Sequence, residues 1–199
     1  QGRDRGVGIR LGSTMLTWAG WDRTLDIRAR DVIIVDSEQT EVAELPEISI
    51  GLSGRALLRA ELRPSSIDVL GAETVVIRRS DGSIGLGFGE ASIQGGDNPL
   101  LARLADALLA PPDAAPNAGN LSRISVLDSS LTLIDQVNGA LWRASKVDLV
   151  VLRRGQSIVG NARLEIDFGG GRVNAAGTVS YDSVSGSAKV GVSFDDLYL

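Results

Sequence analysis

Apolar and polar residues alternate along two long stretches of this chain, residues 7–88 and 121–199, and the alternation has the period of two expected of half-buried β-strands. Val7, Ile9 and Leu11 open the pattern and lead to Met15-Leu16-Thr17-Trp18. Leu25, Ile27 and Ala29 then face one way while Asp26, Arg28 and Arg30 face the other, and Val32 to Val35 continues the run across a bend at Asp31. Further strands are predicted at Ile48/Ile50/Leu52, Leu58/Ala60/Leu62, Ile67/Val69, Val75/Ile77 and Ile84/Leu86/Phe88. Ser80-Asp81-Gly82-Ser83 is a hairpin turn with Gly82 free to take positive φ.

The second stretch alternates at Ile124/Val126, Leu131/Leu133 and Val147/Leu149/Val151. In the run 158–168, Ile158, Gly160, Ala162, Leu164, Ile166 and Phe168 share one face. Such a strand spans about 36 Å at roughly 3.3 Å per residue. Val173–Tyr181 and Ala188/Val190/Val192/Phe194 follow, after the glycines at 169–171. Eight positions from Ile27 to Leu52 recur ninety-nine residues later, from Val126 to Val151, which suggests two related β-repeats. Between the stretches, Pro99 and a leucine stripe through Leu100, Leu104 and Leu108 predict one short amphipathic helix, stopped by Pro111-Pro112. The expected organisation is a first β-module at 1–97, helix and connector at 98–120, and a second β-module at 121–199 continuous with the first.

A one-sided sheet has to bury its apolar face. Two mostly-β architectures meet that need: a strongly curled sheet of long antiparallel strands forming a hydrophobic groove, or a closed β-sandwich. The inward residues are mainly Val, Ile, Leu and Ala, with aromatics at only 4% of the chain. That balance suits both, and on the residues alone the sandwich is favoured.

Composition narrows the chemistry. There is no histidine and no cysteine, which excludes imidazole bases, Ser-His-Asp triads, thiolate nucleophiles and His or Cys metal sites. Asp81, Asp128, Asp135, Asp195 and Asp196 lack the spacing of a calcium loop and read as turn formers. Gly85-x-Gly87-x-Gly89 and Gly169-Gly170-Gly171 precede no helix in a βαβ unit, so no phosphate-binding loop is expected. No catalytic residue, metal or cofactor is predicted, and the chain reads as a non-enzyme. A formal charge of −5 disfavours nucleic acid. Arg78–Arg79 and Arg153–Arg154 read as strand-end charges, and Trp18, Trp21 and Trp142 as packing residues. No stretch reaches the about eighteen apolar residues of a membrane span. The structured look of the segment at Gln1 suggests excision from a longer chain.

The order of features from Leu25 to Phe88, with Asp36-Ser37-Glu38 and Arg79-Ser80-Asp81-Gly82 as its turns, resembles the AsmA-like family of bacterial envelope proteins. Leu121 to Trp142 and Val147 to Arg154 are similar to its YhdP-like branch. The resemblance implies a periplasmic fragment of a Gram-negative protein anchored upstream in the inner membrane, within a superfamily of bridge-like lipid-transfer proteins related to TamB. It implies that the groove binds phospholipid or another acyl lipid and aids lipid transport to the outer membrane. Groove candidates are then Ile50, Leu52, Leu58, Leu62, Leu149, Leu164, Ile166 and Phe168, with Leu100, Leu104 and Leu108 as a lid or plug. Envelope proteins are further expected partners. The alternative is a non-enzymatic structural or scaffolding β-module for envelope protein assembly.

Overall fold

A computed structural model describes residues 8–18, 25–35, 38–89, 121–167 and 171–195. Among the described residues eleven strands follow one another: β1 (Gly8–Trp18), β2 (Leu25–Val35), β3 (Glu41–Leu52), β4 (Pro64–Leu70), β5 (Glu73–Arg78), β6 (Ile84–Phe88), β7 (Arg123–Asp135), β8 (Ala140–Arg154), β9 (Ser157–Asp167), β10 (Arg172–Asp182) and β11 (Ser187–Asp195). All belong to one sheet, ordered β1-β2-β3-β4-β7-β8-β9-β10-β11, with the β5–β6 hairpin joined to β7 through β5. Neighbours are antiparallel except at β4–β7 and β5–β7, which are parallel. β4 and β5 together run along one side of β7, first against Arg123–Leu127 and then against Ser130–Asp135.

The register sorts side chains into two unlike faces. One row crosses the sheet as Leu16, Ile27, Ile50, Ile67, Ile124, Val151, Gly160, Val179 and Val190. The adjacent row on the opposite face reads Met15, Arg28, Ser49, Asp68, Ser125, Val150, Asn161, Thr178 and Gly191. Ion pairs lie on that polar face: Arg28 and Arg30 both meet Glu47, at 3.3 and 3.0 Å, and Arg123 meets Asp68 at 3.5 Å. Being partly exposed, each contributes at most about 1 kcal/mol.

A line of backbone irregularities crosses the middle of the strands. Asp31 and Asp128 take φ of 52° and 48°, and Gly71 takes 69°. A Cβ on Gly12 would stand 2.8 Å from the Cβ of Asp31, so only glycine fits opposite that bend. The bend changes the parity of the alternation. Ala29 and Val32, three residues apart, therefore enter the same core cluster, with Ile34, Ala43, Leu45 and Ala72. Ile48, Val69 and Phe88 pack against it, and a second cluster gathers Leu121 and Ile124 with Ile67, Val151 and Ile158.

Three sequence expectations need correction. The sheet is neither curled into a groove nor closed: among the described residues β1 pairs only with β2 and β11 only with β10, and these two are the outermost strands of an open sheet. The closed sandwich fails as well, because all eleven strands belong to a single sheet. Alternation determines which face is apolar but is silent on curvature, which bulges and stagger set. The strand expected at Leu58/Ala60/Leu62 is absent: α1 (Gly54–Leu57) is a single helical turn, and Ala60 takes φ of 58°. Backbone bonds from Leu57 to Ser53 and from Glu61 to Ala56 satisfy locally the groups a strand would offer a neighbour. Among the described residues no longer helix occurs. The helix predicted through Leu100, Leu104 and Leu108 lies outside them.

Candidate functional site

The feature that stands out is the apolar face, and above all its two ends. In the middle it is well packed: Leu52 and Ile124 are buried and Ile50 is half-buried. At the β1 edge Ile9, Leu11, Leu16 and Trp18 are exposed, and at the β11 edge Val190, Val192 and Phe194 are exposed. Every residue of β11 is exposed. A long, apolar edge strand with free backbone groups is a surface that proteins normally cover or charge. Here β1 carries a single charge, Arg10, and β11 only Lys189 and Asp195, with no proline in either.

A shallow hollow of about 210 Å³ lies on the same face, lined by Leu131, Leu133, Trp142, Ala144, Leu164 and Ile166. Two of its lining residues, Leu131 and Ala144, adjoin register shifts, at Ser129/Leu131 between β7 and β8 and at Ala144/Lys146 between β8 and β9. The hollow falls below the roughly 300–1,000 Å³ of small-molecule pockets. An acyl-chain groove is not formed, and the expected lipid-carrying function loses its physical basis.

The predicted groove residues do not converge. Ile50, Leu52 and Leu149 lie on strands of the apolar face, and Leu164 and Ile166 border the hollow. Leu58 and Leu62 are 76% and 70% exposed in the connection after α1, away from the ladder. Phe168, Leu100, Leu104 and Leu108 lie outside the described residues. Trp142, read from sequence as plain packing, lines the hollow, and Trp18 is exposed on β1. The outer residues of β11 were visible as an alternating run, but nothing local marks a strand as an edge.

The acidic residues act on turns. Asp135 accepts hydrogen bonds from the N–H groups of Val137 and Asn138, at 2.9 and 3.3 Å, and from the Asn138 amide at 2.8 Å. Arg78, at the end of β5, approaches it at 3.4 Å. Burial acts to raise the Asp135 pKa, but the bonds from Asn138 and Val137 and the Arg78 charge outweigh it and hold the carboxyl below its ordinary value. Asp182 repeats the device with Val184 and Ser185, whose backbone N–H groups lower its pKa. The two turns share the spelling Asp-x-Val-x-Gly, at 135–139 and 182–186, with Gly139 and Gly186 at φ of 66° and 64°. Asp81 accepts from the Ser83 N–H at 2.9 Å, and the Ser83 side chain first and this N–H second hold its pKa below the ordinary value. Three carboxylates thus shape hairpin tips.

Among the described residues no group of three or more His, Cys, Asp or Glu side chains is placed to hold a metal ion, and no helix is long and apolar enough to cross a membrane. No protein-family model, no curated protein and no solved structure matches this chain. The AsmA-like and YhdP-like resemblance is therefore without support beyond the residues that suggested it, and the groove it implied is absent. What the fold itself defines is an open, single-layer, two-faced β-sheet with apolar edges.

Proposed function

We propose that this chain is a non-enzymatic structural β-module that assembles with other proteins through its open edges and the apolar face beside them. One observation carries the reading: the large exposed apolar side chains on strands concentrate on β1 and β11, each of which, among the described residues, pairs with a strand on one side alone. Strand addition combines main-chain hydrogen bonds with burial of alternate side chains, and both are on offer here. The bacterial-envelope setting, with the periplasm as compartment and an inner-membrane anchor upstream, rests on the sequence resemblance alone.

The test is photo-crosslinking in cells of the native host. A benzophenone side chain is placed at Leu16 or Val192 on the edges, and at Ile50 in the middle of the sheet. Protein adducts from the edge positions and none from Ile50 are expected. Adducts to lipid alone, or no adduct at either edge, would overturn the proposal.

A further inference from the structure

We propose that β11 is the contact strand of a two-fold homodimer, pairing antiparallel with β11 of a second copy about an axis through Gly191. The inference rests on the reading of the chain as an assembling β-module and names its partner at one edge. A two-fold axis normal to the sheet leaves the apolar face of both copies on the same side, so the apolar rows continue across the joint. It also closes on itself at two copies, whereas joining β11 to β1 of another copy is head-to-tail and adds further copies into a ring or an open fibre.

The order of residues in β11 is self-complementary about Gly191. Pairing outward from that point sets Val190 against Val192 of the second copy and Ala188 against Phe194, valine on valine and small on large. All four lie on the apolar face, since their intrachain partners Val179, Gly177, Tyr181 and Ala175 belong to it. On the other face Lys189 stands opposite Ser193 and Ser187 opposite Asp195, so no like charges meet. Lys189 is then diagonal to Asp195 of the second copy, within reach of a long side chain, and this occurs twice by symmetry. Gly191 suits the axis because, having no side chain, it sets nothing bulky against its own copy where the two strands cross the two-fold. β1 lacks this property: its apolar positions change parity at Gly12, between Leu11 and Thr14, so a self-pair would match along only half its length.

The chain has no cysteine, which makes disulfide trapping clean. Val190→Cys and Val192→Cys are made singly and mixed under mild oxidation, beside sedimentation of the unmodified protein. The expected results are a dimer of the unmodified chain and a 190–192 disulfide forming several-fold faster than either self-link. Lys189→Glu is expected to weaken the dimer and Lys189→Glu with Asp195→Lys to restore it. A monomer at every soluble concentration overturns the proposal, as does faster linkage of Val192→Cys to Leu16→Cys, which reports head-to-tail joining. In either case, edge adducts to a different protein in cells would leave the assembly reading standing while this partner is rejected.

Discussion

Val32→Ala probes whether a single-layer sheet can hold a true core. Val32 is 2% exposed and packs among Ala29, Ile34, Leu45 and Ala72. The substitution removes two buried carbon groups, about 1.6 kcal/mol at roughly 0.8 kcal/mol each. The neighbours come from paired β-strands and cannot collapse freely into the space, so a cavity term brings the loss to about 2–3 kcal/mol. Val184→Ala removes the same atoms at a position that is 75% exposed, and the same scaling leaves about 0.4 kcal/mol. Urea unfolding followed by circular dichroism, with m unchanged, gives both values. In thermal melts the two should differ by several degrees, at about 2–4 °C per kcal/mol for a chain of this size. If Val32→Ala came within about 0.5 kcal/mol of Val184→Ala, burial in the β2–β3 region would not stabilise the sheet and the account of its core would fail.

Gly139→Ala and Gly186→Ala each force an alanine to φ near 65° in open space, so strain of about 1–2 kcal/mol less about 0.4–1 of unfolded-chain entropy is expected. Asparagine at either site should cost less than alanine, and the reverse order in urea midpoints would refute this. Asp81, Asp135 and Asp182 have folded pKa values below the ordinary 3.8, so their contribution is complete above that value and disappears as the pH falls through their lower folded values. The urea midpoint should therefore drop with acid in that range, and Asp135→Asn with Asp182→Asn should flatten the slope; an unchanged slope would exclude these turns as its source. Leu164→Asp puts a carboxylate against Leu131 and Trp142 in the hollow and should cost about 1–3 kcal/mol. Leu62→Asp, at a position 70% exposed, should stay within about 0.5 kcal/mol, so equal losses would show that the hollow is not apolar in solution.

Much of the local structure was legible in the sequence because it depends on neighbours one or two residues apart. Alternation at 25–29, 147–151 and 158–166 assigned each side chain to a face, and the pairing of β2, β8 and β9 keeps those sets together. Ser80-Asp81-Gly82-Ser83 forms its turn through the Asp81–Ser83 bond. The shared Asp-x-Val-x-Gly spelling at 135 and 182 was available too, but its meaning emerges only when both segments close hairpins with the same hydrogen bonds. At Leu58 and Leu62 the same alternation misled, because one helical turn and a positive φ at Ala60 answered the backbone locally.

Period two in the sequence by itself determined a β-protein with one apolar and one polar face, and the missing His and Cys determined which side-chain chemistries it lacks. The tertiary structure alone decided that β4 and β7 pair in parallel, that the strands form one open sheet, and that β1 and β11 are the outermost of its described strands. The physical reason is range. A side chain's face follows from its own strand, whereas curvature, closure and edge position follow from pairings between residues as distant as Ile67 and Ile124, to which no local pattern is sensitive.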